Sequence, residues 1–221
     1  MTEPRTDTRE AILKSARITV ETDGYTALSF RDLAADVGVK SASVHYYFPT
    51  KPDLAEALVE RRCTDQKAFF EDLFAQTQNY EELIGSYIAM FRSGFDGGNR
   101  MCVAGVMSAE ISGLPDPVRA AIRRFKDLNV AWISKMLRVR HPRLGDEPLR
   151  QRAFAIYASL EGAQLIAHGL GGDADAFDDM IAGYAASGLF SLNGSAVRPI
   201  NAGSNHRGDE RKPSGRKRAT N

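Results

Sequence analysis

The chain has 221 residues, 43% of them hydrophobic, and a formal net charge of +1, which suits one large or two modest domains with a packed core. Cys63 and Cys102 lie far apart without metal-ligand spacing, which excludes a disulfide scaffold and favours a reducing cytoplasm. The polar N-terminus does not resemble a signal peptide, and the apolar stretch of residues 153–172 contains Glu161 and His168, so we expect a buried helix there and no membrane span.

Three short helices are predicted first. The first presents apolar residues at helical spacing and ends near Gly24. A capping-box pattern at Ser29 opens the second helix, and Gly38 stops it. The third begins at Lys40 or Ser41. Because such short helices bury few apolar side chains, we expect them to depend on docking against the next helix.

The remainder of the chain is also predicted to be helical. A capping-box pattern from Thr50 to Asp53 opens a long fourth helix that extends to about Phe74. No alternating run is long enough to predict a strand, so the chain is predicted to be all-α with about nine helices. The further helices are placed at residues 80–96, at 100–111, after Pro115, at 149–170 and at 176–192.

The most informative segment runs from Ser29 to Lys51. No Asp or Glu occurs from Val37 to Pro52, although 26% of the chain is charged, and carboxylates are unfavourable on a surface that approaches phosphates. We therefore predict a helix-turn-helix over residues 29–48, with the third helix in a DNA major groove. An ordinary helical hairpin is the alternative.

The candidate DNA-contacting side chains follow from residue type. Small residues at the start of the third helix allow close approach to base edges, and flanking lysines suit phosphates. Three consecutive aromatic residues cannot all face a core, because successive helix positions rotate by about 100°. Solvated lysines and an ordinary helix start are the alternatives. The candidates are Arg31, Lys40, Ser41, Ala42, Ser43, His45, Tyr46, Tyr47 and Lys51.

These residues belong to a longer series of motifs in the first part of the chain. The series runs from Arg9-Glu-Ala-Ile-Leu through Gly24-Tyr-Thr-Ala-Leu-Ser-Phe-Arg-Asp-Leu-Ala and Gly38-Val to Tyr46-Tyr-Phe-Pro-Thr-Lys-Pro-Asp-Leu. It covers about the first quarter of the chain and resembles the TetR family of bacterial transcriptional repressors. The resemblance implies that the candidate residues above fall on DNA-contacting positions. His45 replaces a common tyrosine and Tyr47 a common histidine of the family pattern, which affects the operator sequence rather than the fold.

The resemblance also implies a domain organisation. A three-helix DNA-binding domain would span residues 1–51, and a helical ligand-binding and dimerisation domain would span residues 52–193. Residues 194–221 form a polar, basic tail that we predict to be disordered. The tail either adds salt-sensitive DNA affinity or only promotes solubility.

A second, weaker resemblance concerns Cys102. The segment Cys102-Val-Ala-Gly-Val-Met-Ser-Ala-Glu110 is similar to one branch of the family, in which some members sense electrophiles through a cysteine near the start of this helix. If Asn99 is the N-cap, Cys102 lies at N3, where the helix dipole and Arg100 favour a thiolate. A small, buried, apolar cysteine is the favoured alternative.

The effector pocket has weaker candidates. Aromatic and methionine side chains at helical spacing more often belong to a core than to a pocket, and so does a histidine on an apolar helix, but helical ligand pockets are lined mostly by such residues. The candidates are Phe95, Cys102, Met107, Trp132 and His168.

The helices at 149–170 and 176–192 contain many small residues and are apolar on more than one face. Such helices can pack closely, either within one subunit or against a second subunit. A homodimer would present two recognition helices about 34 Å apart, one turn of DNA.

The leading hypothesis is a cytoplasmic, ligand-responsive repressor that binds a palindromic double-stranded DNA operator as a homodimer and is released by an unknown small molecule. A constitutive or architectural DNA-binding protein would lack an effector cavity. A helical enzyme would need a catalytic constellation, and no metal pair, phosphate loop or nucleophile with a base is evident. We expect no cofactor, no metal and no membrane partner.

Overall fold

This computed structural model describes residues 4–96 and 98–191, with side chains described from residue 8 onward. The described residues form nine α-helices and no strand, so the all-α prediction is confirmed. None of these helices is long and apolar enough to cross a membrane. The predicted tail, residues 194–221, lies outside the described residues. The helices are α1 (Pro4–Asp23), α2 (Phe30–Val37), α3 (Ser41–Tyr47), α4 (Lys51–Gln76), α5 (Tyr80–Asp96), α6 (Val103–Ala109), α7 (Asp116–Arg140), α8 (Asp146–Gly169) and α9 (Ala174–Ala186).

The predicted start and stop signals determine α2 to α4. The Ser29 side chain accepts a hydrogen bond from the backbone N–H of Asp32. Gly38 ends α2 in the left-handed conformation, with φ of 74°, which glycine adopts without strain. Thr50 and Asp53 form the reciprocal capping box that opens α4, with a distance of 2.9 Å from the backbone nitrogen of Thr50 to the Asp53 carboxylate.

The sixth helix differs from its prediction. It begins at Val103 rather than at Arg100, and Cys102, not Asn99, is its N-cap residue. Asn99 instead has a left-handed backbone with φ of 56°. The prediction that Cys102 lies at N3 of this helix is therefore wrong.

The reason is that the backbone N–H groups preceding α6 are bound elsewhere in the molecule. Three consecutive N–H groups donate hydrogen bonds to partners in α5, α1 and α8, and these contacts hold the segment in a non-helical path, with ψ of 129° at Cys102. The donor and acceptor pairs are Arg100 N to Gly94 O at 3.0 Å, Met101 N to Glu21 O at 3.4 Å, and Cys102 N to Gln164 Oε1 at 3.2 Å.

Two clusters of buried apolar side chains stabilise the molecule. The first joins α1, α2 and α3 to the first half of α4, to α6 and to the start of α7. The second joins the remainder of α4 and α7 to α5, α8 and α9. The three short helices therefore dock on α4, as predicted, and also on α6 and α7. The division at residues 51 and 52 remains a prediction, because Leu54 and Leu58 of α4 belong to the first cluster.

Candidate nucleic-acid interface

Helix α3 is held by its inner face. Val44 and Phe48 are buried, with exposed fractions of 0% and 2%, and they pack in the first cluster together with Leu33 and Ala34 of α2. Because helix positions four residues apart share a face, this anchoring directs the opposite side of the short helix outward. The glycine turn and the two inward residues thus position the predicted recognition surface.

The outer face of α3 presents most of the predicted contact residues. The small residues Ser41 and Ala42 are exposed and Ser43 is partly buried. Tyr46 is 63% exposed, and its ring packs edge-to-face against that of Tyr47, with 5.1 Å between centroids. The prediction that the three consecutive aromatic residues cannot all face a core is confirmed, since His45 and Tyr46 are exposed and Tyr47 is partly buried.

His45 is exposed but held in place. Its ring lies edge-to-face against Phe30 of α2 at 4.7 Å, and Nδ1 is 3.4 Å from the carbonyl oxygen of Pro49. If Nδ1 donates to that carbonyl, Nε2 is left as an acceptor on the outer surface. This position suits contact with a base or a phosphate.

Basic residues border this surface. Lys40 and Arg31 are exposed, and Arg31 Nε is 3.2 Å from the Asp32 carboxylate. Hydrogen bonds from Ser29 and from Arg31 lower the pKa of Asp32. The outer face of α3 itself carries no carboxylate.

Lys51 is directed inward in this structure. Its Nζ donates to the carbonyl of Thr26 at 2.9 Å and lies 4.5 Å from the ring centroid of Tyr25. Burial lowers the pKa of Lys51, and the charge of Glu110 opposes that shift. An ammonium group has three donors, so a phosphate contact by Lys51 remains a prediction that does not require this hydrogen bond to break.

Sequence reasoning missed one residue at this end of the molecule. Glu110, which follows α6, accepts hydrogen bonds from the backbone N–H of Tyr25 and from the hydroxyl of Thr26. It thus connects α6 to the short 3-10 helix Tyr25–Ala27 between α1 and α2. No local pattern predicts a contact across 85 residues of sequence.

The five predicted effector-pocket residues are distributed over different parts of the molecule, and their role in a pocket remains a prediction. Cys102 lines a cavity between α1 and the helical body. Met107 is fully buried in the first cluster, and Trp132 stacks on Phe70 at 5.1 Å in the second. The other two also have structural partners: Phe95 packs against Phe177 at 5.5 Å, and Nδ1 of His168 is 3.0 Å from the carbonyl oxygen of Asn99.

Cys102 is in a setting that disfavours the thiolate. Burial and the charge of Glu161 raise the pKa of its thiol, and Arg62 and the first N–H groups of α6 only partly oppose this. The structure therefore favours a partly buried, protonated thiol over an activated nucleophile. Within residues 4–96 and 98–191, no group of three or more His, Cys, Asp and Glu side chains is placed to hold a metal ion.

Helix α8 has one buried and one exposed apolar face. Ile156, Leu160 and Ala163 lie in the second cluster. The opposite face exposes large apolar side chains at helical spacing, and α9 exposes small residues beside it. The exposed apolar residues are Phe154, Leu165 and Ile166 on α8 and Leu170 just after it. The exposed small residues of α9 are Ala182, Gly183, Ala185 and Ala186.

The chain was compared with known proteins. A family model described as "Bacterial regulatory proteins, tetR family" matches residues 12–58. Among curated proteins no match is found.

Solved structures match over most of the chain. A TetR transcriptional regulator from Legionella pneumophila is 26% identical, with coverage of 85% of this chain and 99% of that one and a TM-score of 0.76. A TetR-family transcriptional regulator from Agrobacterium tumefaciens is also 26% identical, with coverage of 81% and 96% and a TM-score of 0.73. Reduced Escherichia coli NemR is 22% identical, with coverage of 80% and 94% and a TM-score of 0.68, and shows the same fold.

The matched residues 12–58 include all of α2 and α3 with their connecting turn. Regulators of this family are transcription factors rather than enzymes. The helix-turn-helix, its outward-facing α3 and the helical body are thus all explained by membership of this family. The chain belongs to the TetR family and is a transcriptional regulator that binds DNA through its helix-turn-helix.

Proposed function

We propose that the protein is a cytoplasmic homodimeric repressor that binds a palindromic operator and is released by a small-molecule effector. The outer face of α3 is the observation that carries this proposal. It combines exposed small residues, an exposed tyrosine and a lysine with the absence of carboxylates, on a helix whose inner face is firmly packed. The DNA contacts assigned to the nine candidate residues from Arg31 to Lys51 are part of the proposal, as is the division into DNA-binding residues 1–51 and effector-binding residues 52–193.

Dimerisation is supported by the exposed face of α8 and α9. Leu165, Ile166 and Leu170 are each at least half exposed. A contiguous apolar patch of this kind marks an interaction site on a soluble protein. Two-fold pairing of this face would use the same residues from both subunits and bring two α3 helices to one side of the dimer.

Effector release is supported by the way the two apolar clusters are connected. Helix α4 contributes to both clusters, and so does α7. A molecule that binds among these helices and prefers one arrangement would shift the population towards it. If that arrangement separates the two recognition helices, they no longer fit successive major grooves.

The experiment that tests this proposal is selection of binding sites from a random double-stranded DNA pool by the full-length protein. We expect an enriched inverted repeat with half-site centres about one helical turn apart, since each dimer carries two α3 helices. Tyr46→Ala should weaken binding to the selected site, whereas Glu71→Ala, on the exposed surface of α4, should not. Enrichment of a single half-site, or of no sequence, would contradict the proposal.

A further inference from the structure

A cavity of about 240 Å³ lies where the DNA-binding unit meets the helical body. Its walls come from α1, α4, α5, α7 and α8 and from the segment leading into α6. The polar residues among its lining are Arg17, Glu21, Arg62, Ser93, Arg100, Asn129 and Gln164.

The uncharged polar groups of this cavity already have partners. Gln164 donates to the carbonyl of Phe91 at 2.9 Å and accepts from the backbone N–H of Cys102 at 3.2 Å. Asn129 accepts from the Tyr87 hydroxyl at 2.9 Å and donates to the carbonyl of Phe125. These side chains are fixed by the fold, so they contribute shape rather than unsatisfied hydrogen-bonding capacity.

The charged groups are not balanced. Arg17 and Glu21 form an ion pair at 2.7 Å. Arg62 and Arg100 also line the cavity, and none of the ion pairs among the described residues includes either of them. The cavity therefore has two positive charges more than its own carboxylate neutralises.

The position of the Arg62 guanidinium strengthens this point. Its Nη2 is 3.5 Å from the sulfur of Met90, and its central carbon lies 5.9 Å from the ring centroid of Phe125. A guanidinium in such a setting still has N–H donors available, and an oxyanion can accept two hydrogen bonds from them in bidentate geometry. Glu161 is within electrostatic range of Arg62 but lines a neighbouring groove, and burial raises its pKa to about 7, so it is a partial counter-charge at neutral pH.

Much of the remaining wall is apolar. Phe91, Phe125, Met90 and Met101 line the cavity together with Gly94 and Cys102. A cavity with an apolar wall and two uncompensated cations favours a molecule with a short hydrocarbon or aromatic body and an anionic head. The volume is equivalent to about eight water molecules at about 30 Å³ each, which limits the ligand to a small one.

We propose that this cavity binds a small organic carboxylate, with its anionic head on Arg62 and Arg100 and its body against Phe125 and Met101. The inference rests on the proposed function, because it names the chemical class of the effector. Since Arg17 and Glu21 belong to α1, a bound carboxylate would contact the DNA-binding unit and the helical body at once.

Two matched sets of probes test the charge requirement: benzoate, benzamide and benzamidine, and hexanoate, hexanamide and hexylamine. We expect each carboxylate to raise the Tm of the full-length protein by about 3–5 °C at ten times its Kd. The uncharged amide should have a smaller effect, and the amidine or amine none. Arg62→Gln and Arg100→Gln should each weaken carboxylate binding by at least tenfold while leaving the Tm of the free protein within about 2 °C.

Arg143→Gln is the matched control, because Arg143 is an exposed loop arginine away from the cavity. The inference is wrong if no carboxylate exceeds its amide in either set, or if Arg143→Gln has the same effect as the cavity variants. Operator affinity is measured separately. A carboxylate that binds through the two arginines without changing operator affinity would support the site and contradict effector release.

Discussion

Glu110 accepts a hydrogen bond from the backbone N–H of Tyr25 at 3.1 Å, across 85 residues of sequence. Its second carboxylate oxygen accepts from Thr26 Oγ1, and the carbonyl of Thr26 in turn accepts from Lys51 at the start of α4. Gly24 permits the approach, because a Cβ at that position would lie 2.3 Å from the Glu110 carboxylate. One carboxylate therefore links the end of α6 to the connection between α1 and α2 and, through it, to α4.

The first prediction concerns this link. Glu110→Gln removes the charge that strengthens both hydrogen bonds, and we expect the free energy of unfolding to fall by about 1–2 kcal/mol. The measurement is urea denaturation followed by circular dichroism. Glu71→Gln is the control, since Glu71 forms only an exposed pair with Lys67, and equal losses in the two variants would show that the link does not stabilise the fold.

The second prediction concerns phosphate contacts. Lys40 is exposed at the N-terminus of α3, and each dimer would present two copies. Lys40→Gln should reduce the slope of log Kd against log salt concentration by about 2, because each phosphate contact contributes about 0.9. Fluorescence anisotropy with the selected operator at several salt concentrations measures the slope. An unchanged slope would exclude Lys40 from the interface, and Lys67→Gln should leave it unchanged.

The sequence was sufficient for the recognition unit because its signals are local. Ser29, Gly38 and Thr50 set the ends of α2 and α4 through contacts within four residues. Val44 and Phe48 are both buried, and their spacing of four residues places them on one face of α3.

The sequence did not predict the backbone conformation where hydrogen-bond partners distant in the chain determine it. The start of α6 is set by acceptors in α5, α1 and α8, which no window around Asn99 contains. The surroundings of the pocket candidates could not be predicted for the same reason, since Trp132 and Met107 are large apolar residues whose environment depends on tertiary packing. Arg62 carried no local signal, because its neighbours Met90 and Phe125 belong to α5 and α7.

The third prediction uses the separation of the two apolar clusters. Phe48→Ala removes a buried ring from the first cluster and should cost about 3–5 kcal/mol there. Trp132, the single tryptophan, packs in the second cluster and reports on it by fluorescence. We expect operator binding to be lost while the Trp132 emission stays native. Loss of both signals together would show that the two clusters unfold as one unit.

The fourth prediction concerns the dimer. Leu165 is 50% exposed on the outer face of α8, so Leu165→Glu should leave the subunit folded while placing a charge in the proposed interface. Analytical ultracentrifugation should show a monomer, and operator affinity should fall by at least a hundredfold. Ile18→Glu, a similar change on the exposed side of α1, should leave the dimer intact. A dimeric Leu165→Glu protein would contradict the proposed face.

The fifth prediction concerns pH. Burial raises the pKa of Glu161 to about 7, although the hydrogen bond from Tyr157 and the charge of Arg62 oppose the shift. Because the folded-state pKa lies above the unfolded value of 4.5, the folded state retains its proton longer, and stability falls as pH rises between about 4.5 and 7. Glu161→Gln should remove this dependence, so that the variant is close to the parent at pH 4.5 and exceeds it by roughly 3 kcal/mol at pH 8. Urea denaturation at both pH values measures the difference. If the two proteins lose stability in parallel over this range, the carboxyl of Glu161 titrates normally and burial does not control it.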